Sequence, residues 1–139
     1  MLIISGLVLT LISCKTYTIS PDSLKSQLTR ADNKEKEVKV NNPLLFGNLE
    51  YLANDIEKLD VIDKKGNQLS ILNSPRLEMR ITHKNGERYV VYFDTAILEN
   101  DTLKASRSRF MPNLRRSIPF DSIVKIEIQD GGKNFNYKK

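Results

Sequence analysis

Chemistry in this chain would have to come from a small set of side chains. They are the carboxylates Asp94, Glu99, Asp101 and Asp121, the single imidazole His83, the single thiol Cys14, and a basic run from Lys104 to Arg116. Carboxylates converging at one end of a domain can act as an acid–base pair or hold a cation. The spacing here matches neither use. Asp94 and Glu99 are separated by four residues and Asp101 follows two later, without the glycine and ligand rhythm of a calcium loop. Asp101 and Asp121 fit turns, where an Asp side chain bonds nearby backbone. His83 adjoins a hairpin turn and reads as exposed, which leaves the many serines without a histidine partner. The chain has no Gly-x-Ser-x-Gly, no His-Glu-x-x-His and no phosphate-cradling glycine loop. No catalytic residue, metal site or cofactor is expected, and the chain reads as non-enzymatic.

The basic run is the one stretch whose composition stands out. Lys104, Arg107, Arg109, Arg115 and Arg116 fall within thirteen positions, interleaved with Phe110, Met111 and Leu114. Guanidinium forks match phosphate and carboxylate oxygens, and an apolar tip can lodge in a headgroup layer or a partner. These five residues are therefore the candidates for anion binding, toward lipid phosphates, an anionic glycan or an acidic protein surface. The plainer alternative, which we favour, is a solvated loop whose Phe110 and Leu114 pack back on the domain. The net charge of +5 suits either reading and serves solubility as well.

Cys14 closes an apolar run, Leu2 to Ile12, that is well short of the roughly 20 residues a spanning helix needs. Leu11-Ile12-Ser13-Cys14 resembles the lipobox of bacterial lipoproteins: an apolar residue, two permissive positions with a small residue at the second, then cysteine. No Lys or Arg precedes the apolar run, a departure from the usual basic start. The resemblance implies a signal peptide over residues 1–13, a diacylglycerol on the Cys14 sulfur and a single domain over 14–139 held to a membrane. Each buried methylene is worth about 0.8 kcal/mol, so one chain binds reversibly and two or three hold firmly. With Cys14 acylated, no thiol is left for a disulfide, a thiolate metal site or a nucleophile. In Gram-negative lipoproteins the residues after the cysteine direct sorting. Lys15-Thr16-Tyr17, without Asp, implies the outer membrane, and the lack of an acidic cluster implies its periplasmic face. Nucleic acid is not expected as a partner of an exported protein.

The rest of the chain supplies the frame. Hydrophobic content of 40% and charged content of 28% describe a folded domain, not a disordered one. Ser20-Pro21-Asp22 reads as a helix start, and Leu24 and Leu28 share one face, which predicts a short helix over about 21–30. Residues 32–37 form a charged connector, Val38 and Val40 a short strand, and Leu44 to Ala53 fits helix or strand equally. Beyond Ile56, alternating apolar residues mark strands around Leu59-Val61, Leu69-Ile71, Leu77-Ile81, Tyr89-Phe93, Ala96-Leu98, Leu103-Ala105 and Ile123-Ile128. Lys64-Lys65-Gly66-Asn67 and Asn85-Gly86 are hairpin turns. Phe135 and Tyr137 suggest a last strand that closes a sheet edge. The fold class is α+β, predominantly β, with a small antiparallel sheet or partly open barrel and one short N-terminal helix. The order Lys84-Asn85-Gly86, Asn100-Asp101-Thr102, Ile118-Pro119 resembles small SH3-like or Sm-like β-barrels of bacterial envelope proteins, over roughly Leu77 to Ile128. Such turns carry fold and little chemistry.

The expected function is an accessory binding or structural component of the cell envelope. The alternative is a module whose basic loop engages anionic lipid headgroups or polysaccharide at the membrane surface.

Overall fold

The computed structural model describes residues 15–42, 47–111, 113–130 and 135–138. Cys14 with its apolar run, Pro43 to Phe46, and Gly131 to Asn134 lie outside the described residues, so nothing structural bears on the lipidation position.

The described chain is α+β and predominantly β, with open antiparallel sheets and no closed barrel. In order it runs β1 (Lys15–Ile19), α1 (Pro21–Ala31), β2 (Glu35–Asn41), β3 (Asn48–Asn54), β4 (Lys58–Ile62), β5 (Gln68–Leu72), β6 (Leu77–His83) and β7 (Arg88–Tyr92). After a 3-10 turn at Phe93–Thr95 come β8 (Ile97–Glu99), β9 (Thr102–Ser106) and β10 (Arg115–Pro119). A second 3-10 turn at Phe120–Ser122 leads to β11 (Ile123–Asp130), and β12 (Tyr137–Lys138) ends the described chain. The main sheet has the order β5-β4-β1-β11-β6-β7. Two three-stranded sheets, β10-β9-β8 and β12-β2-β3, accompany it.

The helix starts where the sequence says it should. Ser20 Oγ accepts from Ser23 N at 3.1 Å, Pro21 takes the first turn, and Asp32 stops the helix in the left-handed region at φ 52°. Leu24 and Leu28 are buried in the main core, each contributing about 1.5–3 kcal/mol relative to exposure. Gln27 fixes the helix against the sheet. Its amide donates to the Asp60 carbonyl at 3.0 Å and accepts from the Asp60 N–H at 2.9 Å. β1 pairs with β4 only at Thr18–Ile62, so Gln27 supplies at Asp60 what a longer β1 would have supplied.

The stretch left open between helix and strand is a strand over residues 48–54, and two elements differ from the sequence reading. β2 begins at Glu35, inside the charged connector. Both follow from pairing: the two strands satisfy each other's backbone over seven residue pairs, which outweighs local propensity. Arg115–Pro119, expected within a long loop, is a strand paired with β9, so the loop shortens to residues 107–114. Elsewhere the turns behave as read. Asn100 and Asp101 both take positive φ, 50° and 57°, the two-residue geometry that matches strand twist. β12 covers the edge of β2, with Tyr137 opposite Val40. The main core joins the large sheet, α1 and β8–β10, while Val40, Tyr51, Ala53 and Phe135 form a separate small cluster beside it.

Candidate functional site

Asp94 is the only charged residue between Tyr89 and Leu98, at the turn that carries β7 into β8. That turn places it inside the protein with no exposed surface. Such a carboxylate is tolerated only when paired and hydrogen-bonded. Arg109, from the 107–114 loop, answers it: Nη1 lies 2.6 Å from Asp94 Oδ1, and its side chain is 1% exposed. Two tyrosines from the small sheet complete the shell. Tyr51 on β3 donates to Asp94 Oδ2 at 2.5 Å, and Tyr137 on β12 donates to the same oxygen at 2.8 Å. Arg109 Nη1 also donates to Tyr51 Oη at 2.6 Å, and Nη2 donates to the Pro75 carbonyl. The guanidinium stacks 4.0 Å over the Tyr92 ring, the geometry in which a planar cation meets an aromatic face. Only Arg109 Nε is left without a partner.

Burial, reinforced by the Asp94 charge, raises both tyrosine pKa values well above the ordinary phenol. Both therefore remain neutral donors. Asn54 tightens the same junction, donating to the Phe93 and Ala96 carbonyls at 2.9 and 3.0 Å. The cluster joins β3, β12, the turn after β7, the 107–114 loop and the Pro75 connection. Its donors and acceptors face one another, so it is built to fasten the small sheet to the main unit.

This corrects the place of Arg109. Read as a solvent-facing anion ligand, it is instead the buried counter-ion of Asp94. The other candidates do not converge. Lys104 pairs with Glu99 at 3.2 Å, and Arg115 lies 3.8 Å from Glu35. Arg116 alternates to the opposite face of β10, where its guanidinium covers the Tyr89 ring at 4.4 Å. Arg107 is exposed beside the exposed Phe110 and Met111. Strand pairing of Arg115 with Ser106 and Arg116 with Ala105 is what separates these charges.

The carboxylates also disperse. Asp94 is sealed with Arg109, Glu99 meets Lys104, Asp101 holds Lys25 at 2.8 Å, and Asp121 is exposed. The Lys25 pKa rises, chiefly through its hydrogen bond to Asp101. His83 is half-buried rather than exposed. Its Nδ1 accepts from Asn85 N at 3.1 Å, and its ring meets Tyr89 edge-on. No group of three metal-ligating side chains occurs among the described residues.

Sequence reasoning missed the cluster as a unit, although its parts were in view. The signal was a single charge, Asp94, inside the otherwise uncharged run Tyr89 to Leu98. Such a residue demands a buried cation, and only the fold says which one.

The surface carries open clefts. One of about 580 Å³ lies between the start of α1 and the β4–β5 hairpin, where Asp60 accepts from Ser70 at 2.6 Å. Another, of about 480 Å³, runs from Tyr17 past Pro75 to Tyr137. A third, of about 440 Å³, is lined by Lys15, Lys64 and Lys65. No helix among the described residues is long and apolar enough to cross a membrane. Comparison with protein-family models, curated proteins and solved structures finds no match to the chain.

Proposed function

We propose that this chain is a lipid-anchored cell-envelope protein, held through an acylated Cys14 at the periplasmic face of an outer membrane, and that it works there as a non-enzymatic binding or structural component. The observation that carries the reading is the position of Cys14. It is the chain's only thiol, it ends the apolar run of the lipobox-like Leu11-Ile12-Ser13-Cys14, and it directly precedes β1 at Lys15. An acyl anchor at that residue would hold a folded domain without any spanning segment.

The non-enzymatic part is supported by how the ionisable groups are used. Asp94 and Arg109 are buried and engaged by each other and by Tyr51 and Tyr137. A general acid or base must instead reach a proton on a substrate.

The test is metabolic labelling with a radioactive fatty acid, comparing wild type with Cys14→Ala and separating membrane from soluble fractions. Label and membrane partition in the wild type, both lost in Cys14→Ala, are expected. An unlabelled wild-type protein in the soluble fraction would overturn the reading.

A further inference from the structure

We infer that the cleft between Lys15, Lys64 and Lys65 is the membrane-facing surface of the domain and receives anionic phospholipid headgroups; the inference rests on anchoring through Cys14. Its geometry follows from strand pairing. Thr18 on β1 faces Ile62 on β4, so the turn at residues 63–67 runs on alongside Tyr17, Thr16 and Lys15. The result is an open cleft of about 440 Å³ with three exposed lysines at its rim.

The charge in this cleft is available. None of the three cleft lysines has an ion pair among the described residues, a state they share with Lys34, Lys58, Lys84 and Lys138, but only the cleft gathers three of them. Asp63 is the one acid lining the cleft, and its oxygens serve the turn. Oδ1 accepts from Lys65 N and Asn67 N at 2.9 Å each, and Oδ2 accepts from Asn67 Nδ2 at 3.3 Å. Those bonds, with a smaller contribution from the Lys65 charge, hold the carboxyl pKa below its ordinary value.

Position supplies the rest. Lys15 is one residue from Cys14, and a strand advances about 3.3 Å per residue. Lys15 then lies within the screening length of about 8 Å from an anchored membrane surface, with the turn lysines alongside it. There, each lysine strengthens attachment to an anionic surface about fivefold. β1 is hydrogen-bonded to β11 from Lys15 onward, so no slack chain separates the anchor from the domain. The lysine-bearing end is thus the end that meets the headgroups.

The experiment uses the protein as cells make it, purified from membranes and reconstituted in zwitterionic vesicles or in vesicles containing phosphatidylglycerol. Lysine acylation by a water-soluble reagent is read residue by residue by mass spectrometry. Lys58, at the far end of β4, is the internal control. Several-fold protection of Lys15, Lys64 and Lys65 in anionic vesicles, reversed by high salt, with Lys58 unchanged, is expected. Equal reactivity of all four lysines in both vesicles overturns the inference. Inorganic phosphate added to zwitterionic vesicles should leave the three lysines reactive; protection by phosphate alone would make the cleft an ion site and reject the lipid assignment. The intact mass of the same sample separates the two claims. Acylated Cys14 with unprotected lysines rejects the inference alone, and unacylated Cys14 rejects the anchoring and the inference together.

Discussion

The Asp94–Arg109 cluster and the Lys15–Lys64–Lys65 cleft are both concentrations of charge, and they are built in opposite ways. In the first, one carboxylate and one guanidinium sit inside the protein, and nearly every polar atom has a fixed partner. In the second, three ammonium groups stand in water around an acid already engaged by its own turn. A sealed pair contributes connection between elements, and removing either half leaves a charge that nothing neutralises. An open cationic rim contributes little to folding but attracts an anionic surface. The sequence offered the arginine-rich loop as a candidate binding element, beside the favoured reading of a solvated loop. Its central arginine, Arg109, proves to be the one that holds the protein together.

The largest effects should come from breaking the sealed pair. Arg109→Met or Asp94→Leu alone should each cost about 3–5 kcal/mol in urea unfolding, because each leaves a buried charge unpaired. The double variant should cost clearly less than the sum of the two. Additive losses would mean that the two residues are not coupled. Removing one tyrosine hydroxyl is the next step down. Tyr137→Phe deletes one bond to a charged acceptor, with an expected cost of about 1.5–3 kcal/mol. Tyr51→Phe should exceed it, since Tyr51 also accepts from Arg109.

The tyrosines give the cluster a pH signature. Their folded pKa values are raised from 10.0, so their contribution is fully present below pH 10 and is lost as pH rises through the folded values. Urea midpoints should therefore fall above pH 10, and the fall should be shallower in the Tyr51→Phe/Tyr137→Phe protein. An unchanged slope would mean that these phenols ionise normally in the folded state. The smallest effects belong to the cleft. Lys15→Gln/Lys64→Gln/Lys65→Gln should alter stability by no more than about 0.5 kcal/mol, as for surface changes generally. Asp63 has a depressed pKa, so its contribution is present above its unfolded value, near 3.8, and declines as pH falls through the folded one. Asp63→Ala should remove that acid-limb dependence from thermal melting.

Much of the frame was legible because local signals agreed with one another. Ser20-Pro21 with Leu24 and Leu28 defined the helix, and Asn85-Gly86 and Asn100-Asp101 defined turns whose geometry needs those residues. The small sheet was legible only in pieces: Val38 and Val40 marked a strand and Phe135 and Tyr137 an edge strand, but what makes residues 48–54 a strand, and which edge Tyr137–Lys138 covers, is β2. The Asp94 cluster was hidden for the same reason. Tyr51, Asp94, Arg109 and Tyr137 lie 15 to 86 positions apart in the chain and meet only after two sheets are docked. Spacing along a sequence reports neighbours on one element. It says nothing of partners contributed by another.

The most direct measurement is the intact mass of the protein extracted from membranes, compared with Cys14→Ala. The account predicts a chain that starts at Cys14 and carries the added mass of acyl groups, a species absent from the variant. A full-length, unmodified chain in the wild type would contradict it.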